Sequence, residues 1–221
     1  MTDINKPNMT DYELTRKEFR LDVPEYFNFG FDVVDKWAAR DRKKLALLFV
    51  DESGGNPKYL TFGDMSRASD RFANVMKKLG VQKGERVIVF LPRIPEWYIS
   101  VLGMIKLGII PVPTTVQCTS KDIEYRIGLS GAVMIIADDE NAGKIEAIKE
   151  KPKSLKHLML VGKDRRGGWL SFDAELAKAQ EKLEGVPKTR SDDPMLLYVT
   201  SGTVSYPKMV IHTQASYGIG H

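Results

Sequence analysis

The stretch RVIVFLPRIPEWYISVLGMIKLGIIPVP, residues 86–113, decides the fold class of this chain. It opens with a short apolar run, Arg86 to Leu91, of the length and composition of a buried strand. Apolar residues then recur at helical spacing from Pro95 to Leu107. A second short run, Ile109 to Val112, ends at Pro113. A strand, a helix and a strand in this order predict a β-α-β unit with parallel strands.

Strands and helices continue to alternate on both sides of this unit. Helices are predicted at residues 33–40, 63–79, 120–129, 140–150 and 171–183, and strands at 133–137, 158–161, 195–200 and 208–212. The runs 45–50 and 59–62, joined by a turn rich in Gly, Asn and Pro, predict an antiparallel hairpin at an edge. The predicted fold class is therefore α/β, a mostly parallel sheet flanked by helices on both faces.

Helix ends and domain limits follow from local signals. Hydroxyl residues placed to cap helix N-termini are Ser120, Ser171 and Thr213, and Gly80 is placed to end a helix. The carboxylates of Asp138, Asp139 and Glu140 favour a helix N-terminus over metal or acid–base chemistry. Residues 1–30 are polar and aromatic and are predicted to pack onto a larger body formed by residues 31–221.

Composition excludes several classes of protein. The 33 basic and 29 acidic residues give a net charge of +4, too small for a nucleic-acid binder without a basic stripe. The densest basic run, near Lys153, is interrupted by glutamates and is typical of a solvated surface. The single cysteine, Cys118, allows no intramolecular disulfide. Acidic residues near the N-terminus argue against a secretory signal, and no apolar run could span a membrane, so we expect a cytoplasmic protein.

The segment with the clearest chemistry follows the apolar strand at 195–200. It is a loop of hydroxyl residues around a glycine that a lysine closes: Thr200, Ser201, Gly202, Thr203, Val204, Ser205, Tyr206, Pro207 and Lys208. Backbone N–H groups and hydroxyls in such a loop can surround phosphate oxygens, and lysine adds a positive charge. The spacing is not that of a Walker loop, in which lysine follows glycine and opens a helix. A hydroxyl-rich turn without function is the alternative, because such turns are common.

The order of these residues resembles the signature loop of the adenylate-forming superfamily, which usually reads Thr-Ser-Gly-Thr-Thr-Gly-x-Pro-Lys. This sequence departs from it at Val204, which lacks a hydroxyl, and at Ser205, which replaces glycine. Residues 59–65, 79–87, 92–97 and 108–113 are similar to the opening region of the superfamily. Residues 117–127, 168–172 and 208–212 are most similar to the medium-chain acyl-CoA synthetases. The resemblance covers roughly residues 25–221.

The resemblance implies that the chain is the N-terminal part of the large domain of an adenylate-forming enzyme. In that family a carboxylate attacks the α-phosphate of ATP, pyrophosphate leaves, and coenzyme A displaces AMP from the acyl-adenylate. It implies that Thr200 to Lys208 hold ATP phosphates, with Mg²⁺ sharing the charge, and that Gln117 lies near coenzyme A. The same position of Gln117 also fits a polar loop residue after a strand.

The family's adenine motif, ribose-binding aspartate and catalytic lysine are not found in these 221 residues. We therefore expect the isolated chain not to form acyl-CoA, and expect the rest of the ligase as a partner if the enzyme is split. A non-catalytic binding module on the same fold remains an alternative because of Val204, as does another adenylating enzyme. No spacing among His157, His212, His221 and Cys118 matches a zinc site, although His212 could face a substrate pocket.

Overall fold

The computed structural model describes residues 10–200 and 207–220. Helices in this part of the chain are α1 (Tyr12–Glu18), α2 (Lys36–Arg40), α3 (Phe62–Lys78), α4 (Pro95–Lys106), α5 (Ser120–Ser130), α6 (Asp139–Glu146), α7 (Phe172–Lys178) and α8 (Gln214–Gly220). Strands are β1 (Leu45–Phe49), β2 (Lys58–Thr61), β3 (Arg86–Phe90), β4 (Ile110–Pro113), β5 (Met134–Asp138), β6 (His157–Val161), β7 (Leu170–Ser171), β8 (Pro194–Thr200) and β9 (Lys208–Thr213).

The main sheet has the parallel arrangement that the alternating pattern predicts. Its five strands lie in the order β4-β3-β5-β6-β7, and every pair is parallel. Val87 on the interior strand β3 pairs with Pro111 on one side and Met134 on the other. Residues 87–90 are fully buried, because a strand between two helical layers has both faces covered. The predicted α/β fold with helices on both faces is confirmed.

Alternate residues of β3 feed two separate apolar layers. Val87 and Val89 pack with residues of α3 and α4, and the core on this side includes Phe72. Ile88 and Phe90 belong to the opposite layer, which α5 and α6 complete. This division follows from the two-residue period of a strand, which sends successive side chains to opposite faces.

The antiparallel pairing of β1 with β2 is confirmed, but its predicted place at an edge of the main sheet is wrong. The two strands form a sheet of their own, and β2 leads directly into α3. Thr61 caps α3 and exchanges hydrogen bonds with Asp64, so the chain turns into the helix at once. The hairpin therefore lies against the helical layer, where Phe62 stacks on Trp37 with 5.8 Å between ring centroids.

Several helix ends differ from the predictions. The cap of α5 is Thr119 rather than Ser120, because Thr119 forms a capping box with Asp122. The caps Asp138 of α6 and Ser171 of α7 are confirmed, but α6 and α7 end at Glu146 and Lys178, before their predicted ends. The helix predicted at 33–40 begins as a π-helix at Gly30, and the exposed helix α1 and the two-residue strand β7 were not predicted.

Asn28 joins the N-terminal segment to the body of the fold. Its side-chain amide donates to the carbonyl of Ile105 at 2.9 Å and to the hydroxyl of Thr189 at 3.1 Å. Its side-chain oxygen accepts from the backbone of Gly30 at 3.0 Å. The Ile105 carbonyl also accepts from the backbone N–H of Gly108 at 3.0 Å, so Asn28 adds a second partner to a carbonyl in the last turn of α4.

The strands β8 and β9 form an antiparallel pair whose β8 member lies beside β4. Leu197 of β8 joins the layer that contains Val112 of β4. The partner strand β9 is more open, with Met209 and Val210 each 42% exposed and Ile211 55% exposed. The loop between the two strands is the predicted phosphate loop, so β8 and β9 fix where its ends lie.

Close contact between α3 and α4 depends on Gly103. A Cβ at this position would lie 2.7 Å from the carbonyl oxygen of Ser69 and 2.9 Å from the Phe72 ring. We expect Gly103→Ala to lower the free energy of unfolding by about 1–3 kcal/mol, because overpacking outweighs the better helix propensity of alanine. Gly128→Ala is the control, since a Cβ there meets nothing within 4 Å, and we expect it to stabilise by about 0.5–1 kcal/mol. Urea unfolding of both variants checks this, and a stable Gly103→Ala protein would contradict the close packing.

Candidate functional site

A cleft of about 560 Å³ opens where β3 and β4 end. Its walls include Arg93 from the segment after β3, Thr114 and Thr115 from the segment after β4, and Tyr198 from β8. The carboxyl ends of parallel strands are the usual place for ligands in open α/β sheets. Of the described residues that line this cleft, Arg93 alone carries a charge.

A second cavity, of about 230 Å³ and mostly apolar, lies beside the cleft. It extends between the β1–β2 hairpin, α3, α4 and β8, and Leu102 and Leu196 are among its lining residues. The two cavities share four aromatic side chains, which are Trp97, Tyr98, Tyr198 and Tyr217. A cleft with one charged residue next to an apolar cavity is suited to a ligand that has a charged group and a hydrophobic part.

The two ends of the predicted phosphate loop are held side by side. Thr200, the last residue of β8, is the register partner of Lys208, the first residue of β9. The Thr200 hydroxyl donates to the Lys208 carbonyl at 3.4 Å, and both residues are exposed. The predicted residues Ser201, Gly202, Thr203, Val204, Ser205 and Tyr206 lie outside the described part of the chain.

One end of the predicted phosphate loop contacts the helix α5. Pro207, also predicted as a phosphate-loop residue, accepts a 3.5 Å hydrogen bond at its carbonyl from the Tyr125 hydroxyl of α5. Gln117 is exposed on the segment between β4 and α5, and its backbone N–H donates to the Thr115 hydroxyl at 3.4 Å. The loop from Thr114 to Gln117 thus runs from the cleft toward α5, the helix that contacts Pro207 of the predicted phosphate loop.

Among the described residues that line the cleft, Tyr198 has a shifted pKa. Burial raises the pKa of the Tyr198 phenol, the nearby Tyr217 raises it further, and Arg93 acts in the opposite direction. His212 packs edge-on against Tyr198, with 5.6 Å between ring centroids. Burial also raises the pKa of the Cys118 thiol, which keeps it protonated and makes it a poor nucleophile.

Metal ligands do not cluster in the part of the chain that the structure describes. No group of three or more His, Cys, Asp or Glu side chains in this part could hold a metal ion. Asp138 caps α6, and Asp139 accepts backbone hydrogen bonds from Lys163 and Asp164, so both have structural partners. These contacts agree with the interpretation of this acidic group as a helix N-terminus.

Two cleft residues were not singled out from the sequence. Arg93, on the segment after β3, and Tyr198 of β8 are far apart in the chain, and only the folded structure brings them together. For Arg93 a signal was present, because it lies shortly after the carboxyl end of a buried strand and is flanked by Pro92 and Ile94-Pro95. No comparable signal marks Tyr198, whose residue type also fits a partly buried strand position.

Solved structures with the same fold include coenzyme A ligases. The anthranilate CoA ligase AuaEII in complex with anthranoyl-AMP superposes with a TM-score of 0.82 at 28% identity, over 90% of this chain and 37% of that chain. Brucella canis acyl-CoA synthetase superposes with a TM-score of 0.80 at 24% identity, over 92% of this chain and 38% of the other. The second match shows a shared fold.

The curated relatives are acyl-coenzyme A synthetases. Acyl-coenzyme A synthetase ACSM3, mitochondrial, of Homo sapiens is 34% identical over 219 residues, 96% of this chain and 37% of the relative. Acyl-coenzyme A synthetase ACSM4, mitochondrial, of Rattus norvegicus is 40% identical over 205 residues, 90% of this chain and 35% of the relative. The chain thus spans little more than a third of the length of these relatives.

The expectation of a cytoplasmic protein is wrong, because these relatives are mitochondrial enzymes. A balanced charge and a single cysteine suit both the cytoplasm and the mitochondrion, so composition could not distinguish the two compartments. As for membranes, none of the helices in the described residues has the length and apolar character needed to cross a bilayer.

The family model for AMP-binding enzymes matches residues 34–219, which include the β-α-β unit, the cleft and both ends of the loop. The resemblance to adenylate-forming enzymes noted in the sequence is thereby confirmed. This chain belongs to the AMP-binding enzyme family.

Proposed function

We propose that this chain is the part of an AMP-forming acyl-CoA synthetase that binds ATP phosphates and coenzyme A. The complete enzyme would join a carboxylic acid to coenzyme A through an acyl-adenylate, with release of pyrophosphate and AMP. The observation that carries this proposal is the pairing of Thr200 with Lys208 at the end of β8, the strand whose Tyr198 lines the cleft at the carboxyl ends of β3 and β4. That arrangement lies within the segment that the AMP-binding family model matches.

Residues 200–208 would act on the phosphates of ATP. Charge builds up on the departing pyrophosphate, and prearranged donors with a cation stabilise it at the moment of reaction. Lys208 would supply the cation, and the hydroxyl and backbone N–H groups of the loop would supply donors. Val204 offers only its backbone N–H, so the remaining loop residues carry more of this task.

The acid and coenzyme A would approach from the cleft. An apolar part of the acid needs an apolar wall, and the four aromatic residues shared by the two cavities offer one. Gln117, on the loop that continues the cleft, would contact coenzyme A. Mg²⁺ finds no set of protein ligands in the described residues, so we assign it no step.

A chimeric enzyme tests the proposal. Residues 22–219 would replace the matching segment of the rat relative ACSM4, which is 40% identical to this chain, so that Asn28 and Glu25 keep their partners. We expect the chimera to catalyse acid-dependent exchange of pyrophosphate with ATP, and the isolated 221-residue chain not to do so. Lys208→Ala in the chimera should lower the exchange rate about 100-fold, as expected for loss of one group that stabilises transition-state charge.

The control is Lys151→Ala, an exposed lysine on the loop between α6 and β6. It should leave the exchange rate unchanged. A soluble, folded chimera without exchange activity would contradict the proposal and favour a non-catalytic binding module. An unchanged rate in Lys208→Ala would remove the role assigned to the loop.

A further inference from the structure

We propose that Arg93 is a phosphate-binding residue of the cleft and that the group it binds belongs to coenzyme A. This inference rests on the proposed function, which supplies two phosphorylated substrates. It assigns a role to a residue outside the phosphate loop.

Arg93 has the electrostatic setting of a ligand-binding cation. Within residues 10–200 and 207–220 no carboxylate lies within ion-pair distance of it, although other arginines of this part, such as Arg67, Arg71 and Arg190, do pair. It is exposed, and it is the one charged residue among the described cleft-lining residues. An unpaired guanidinium on a concave surface attracts anions, and its planar donors match phosphate oxygens.

The backbone at Arg93 is held in place. Pro92 and Pro95 restrict the chain on both sides, and the N–H of Ile94 donates to the Pro92 carbonyl at 2.8 Å. Trp97 then closes the first turn of α4 with a 3.0 Å hydrogen bond to the Ile94 carbonyl. The guanidinium therefore extends from a rigid base, which reduces the entropy lost when it binds a ligand.

The position of Arg93 favours coenzyme A over ATP. The loop that ends at Thr200 and Lys208 already offers a site for the phosphates of ATP. Arg93 follows β3, whereas the segment that leads to Gln117 follows the neighbouring strand β4, and Thr114 and Thr115 of that segment line the same cleft. The loop from Thr200 to Lys208 would then bind the phosphates of ATP, and Arg93 would bind a phosphate of coenzyme A.

Direct binding to the 221-residue chain tests this inference. Trp97 lines the cleft, so tryptophan fluorescence should report ligand binding there. Titrations would compare coenzyme A, 3′-dephospho-coenzyme A, pantetheine and ATP. We expect coenzyme A to bind more tightly than pantetheine, which has no phosphate, and expect its affinity to fall as salt rises.

Arg93→Gln should weaken coenzyme A binding about 10-fold to 100-fold, the effect of losing a charge-assisted hydrogen bond. Pantetheine binding should not change. Arg93→Lys keeps the charge but loses the paired donors, so its affinity for coenzyme A should lie between those of the parent and of Arg93→Gln. Arg165→Gln, at an exposed arginine remote from the cleft lining, is the matched control and should bind as the parent does.

Three results would overturn the inference. They are equal binding of coenzyme A and pantetheine, no effect of Arg93→Gln on coenzyme A, and an effect of Arg93→Gln on ATP alone. The exchange assay in the chimera needs no coenzyme A, so its outcome is separate. Exchange without Arg93-dependent binding would reject only this inference, whereas Arg93-dependent binding without exchange would reject the proposed function.

Discussion

Replacing Phe72 with alanine is expected to lower the free energy of unfolding by about 3–5 kcal/mol, the range for removing a large buried aromatic side chain. Phe72 on α3 is fully buried and stacks on Phe172 of α7, with 5.5 Å between ring centroids. It also contacts the position where Gly103 brings α4 close to α3. One ring therefore holds three helices together, and its loss leaves a cavity that they cannot fill without moving.

Phe19→Ala is the control for this prediction. Phe19 is 64% exposed after α1, so the same substitution there should change stability by no more than about 0.5 kcal/mol. Chemical unfolding followed by circular dichroism measures both variants. Equal effects at the two positions would show that the Phe72 ring does not form the junction described above.

Replacing Lys106 with methionine is expected to lower the free energy of unfolding by about 3–5 kcal/mol at neutral pH, as for other broken buried ion pairs. The Lys106 side chain is fully buried, and its ammonium lies 2.8 Å from Asp35 and 2.6 Å from Asp70. Methionine preserves much of the apolar stem. The loss then arises from two neighbouring carboxylates that keep their charge without a cation.

The loss should depend on pH in a defined direction. Burial raises the pKa of Asp70 above its ordinary value of 3.8, Asp35 raises it further, and the hydrogen bond and charge of Lys106 oppose this. A carboxyl whose pKa is higher in the folded state binds more protons when folded, so stability falls as pH rises through that interval. Without Lys106, the pKa of Asp70 in the folded protein rises further, so the pH interval over which stability falls extends to higher pH. The difference between variant and parent should therefore be small near pH 3.8 and should grow as pH rises toward neutrality.

A second variant separates charge from packing. Adding Asp35→Asn and Asp70→Asn to Lys106→Met removes the unpaired charges, and it should recover most of the stability and abolish the pH dependence. If Lys106→Met is as stable as the parent at every pH, the ion cluster contributes nothing. If the triple variant stays as unstable as the single one, lost packing is the cause.

The parallel sheet could be predicted because its strands are short apolar runs separated by amphipathic helices. The location of the β1–β2 hairpin could not, since its alternation fits either a sheet edge or a position against helices. Thr119 and Ser120 are both suitable caps, and only the hydrogen bonds with Asp122 distinguish them. The π-helix at Gly30 is preceded by Asn28, whose side chain is held by Ile105 and Thr189, and such long-range contacts are not contained in a local pattern.

One part of the candidate site could be predicted from the sequence, and another part could not. The loop from Thr200 to Lys208 is continuous in sequence, so its residue order could point to phosphate binding, which stays a prediction. The cleft is assembled from the ends of β3, β4 and β8, which are separated in the chain by helices and loops. Arg93 meets Tyr198 only after the sheet has formed, and sequence periodicity carries no information about such long-range neighbours.

The hydrogen bonds of Asn28 bear on where this unit can be cut. The family model begins at residue 34, yet Asn28 binds the end of α4 and Thr189, and Glu25 accepts a hydrogen bond from Ser191. A polypeptide trimmed to the limits of that model would lose these partners. The unit that folds is thus longer than the segment that the family model covers, and excision of this domain should begin upstream of Pro24.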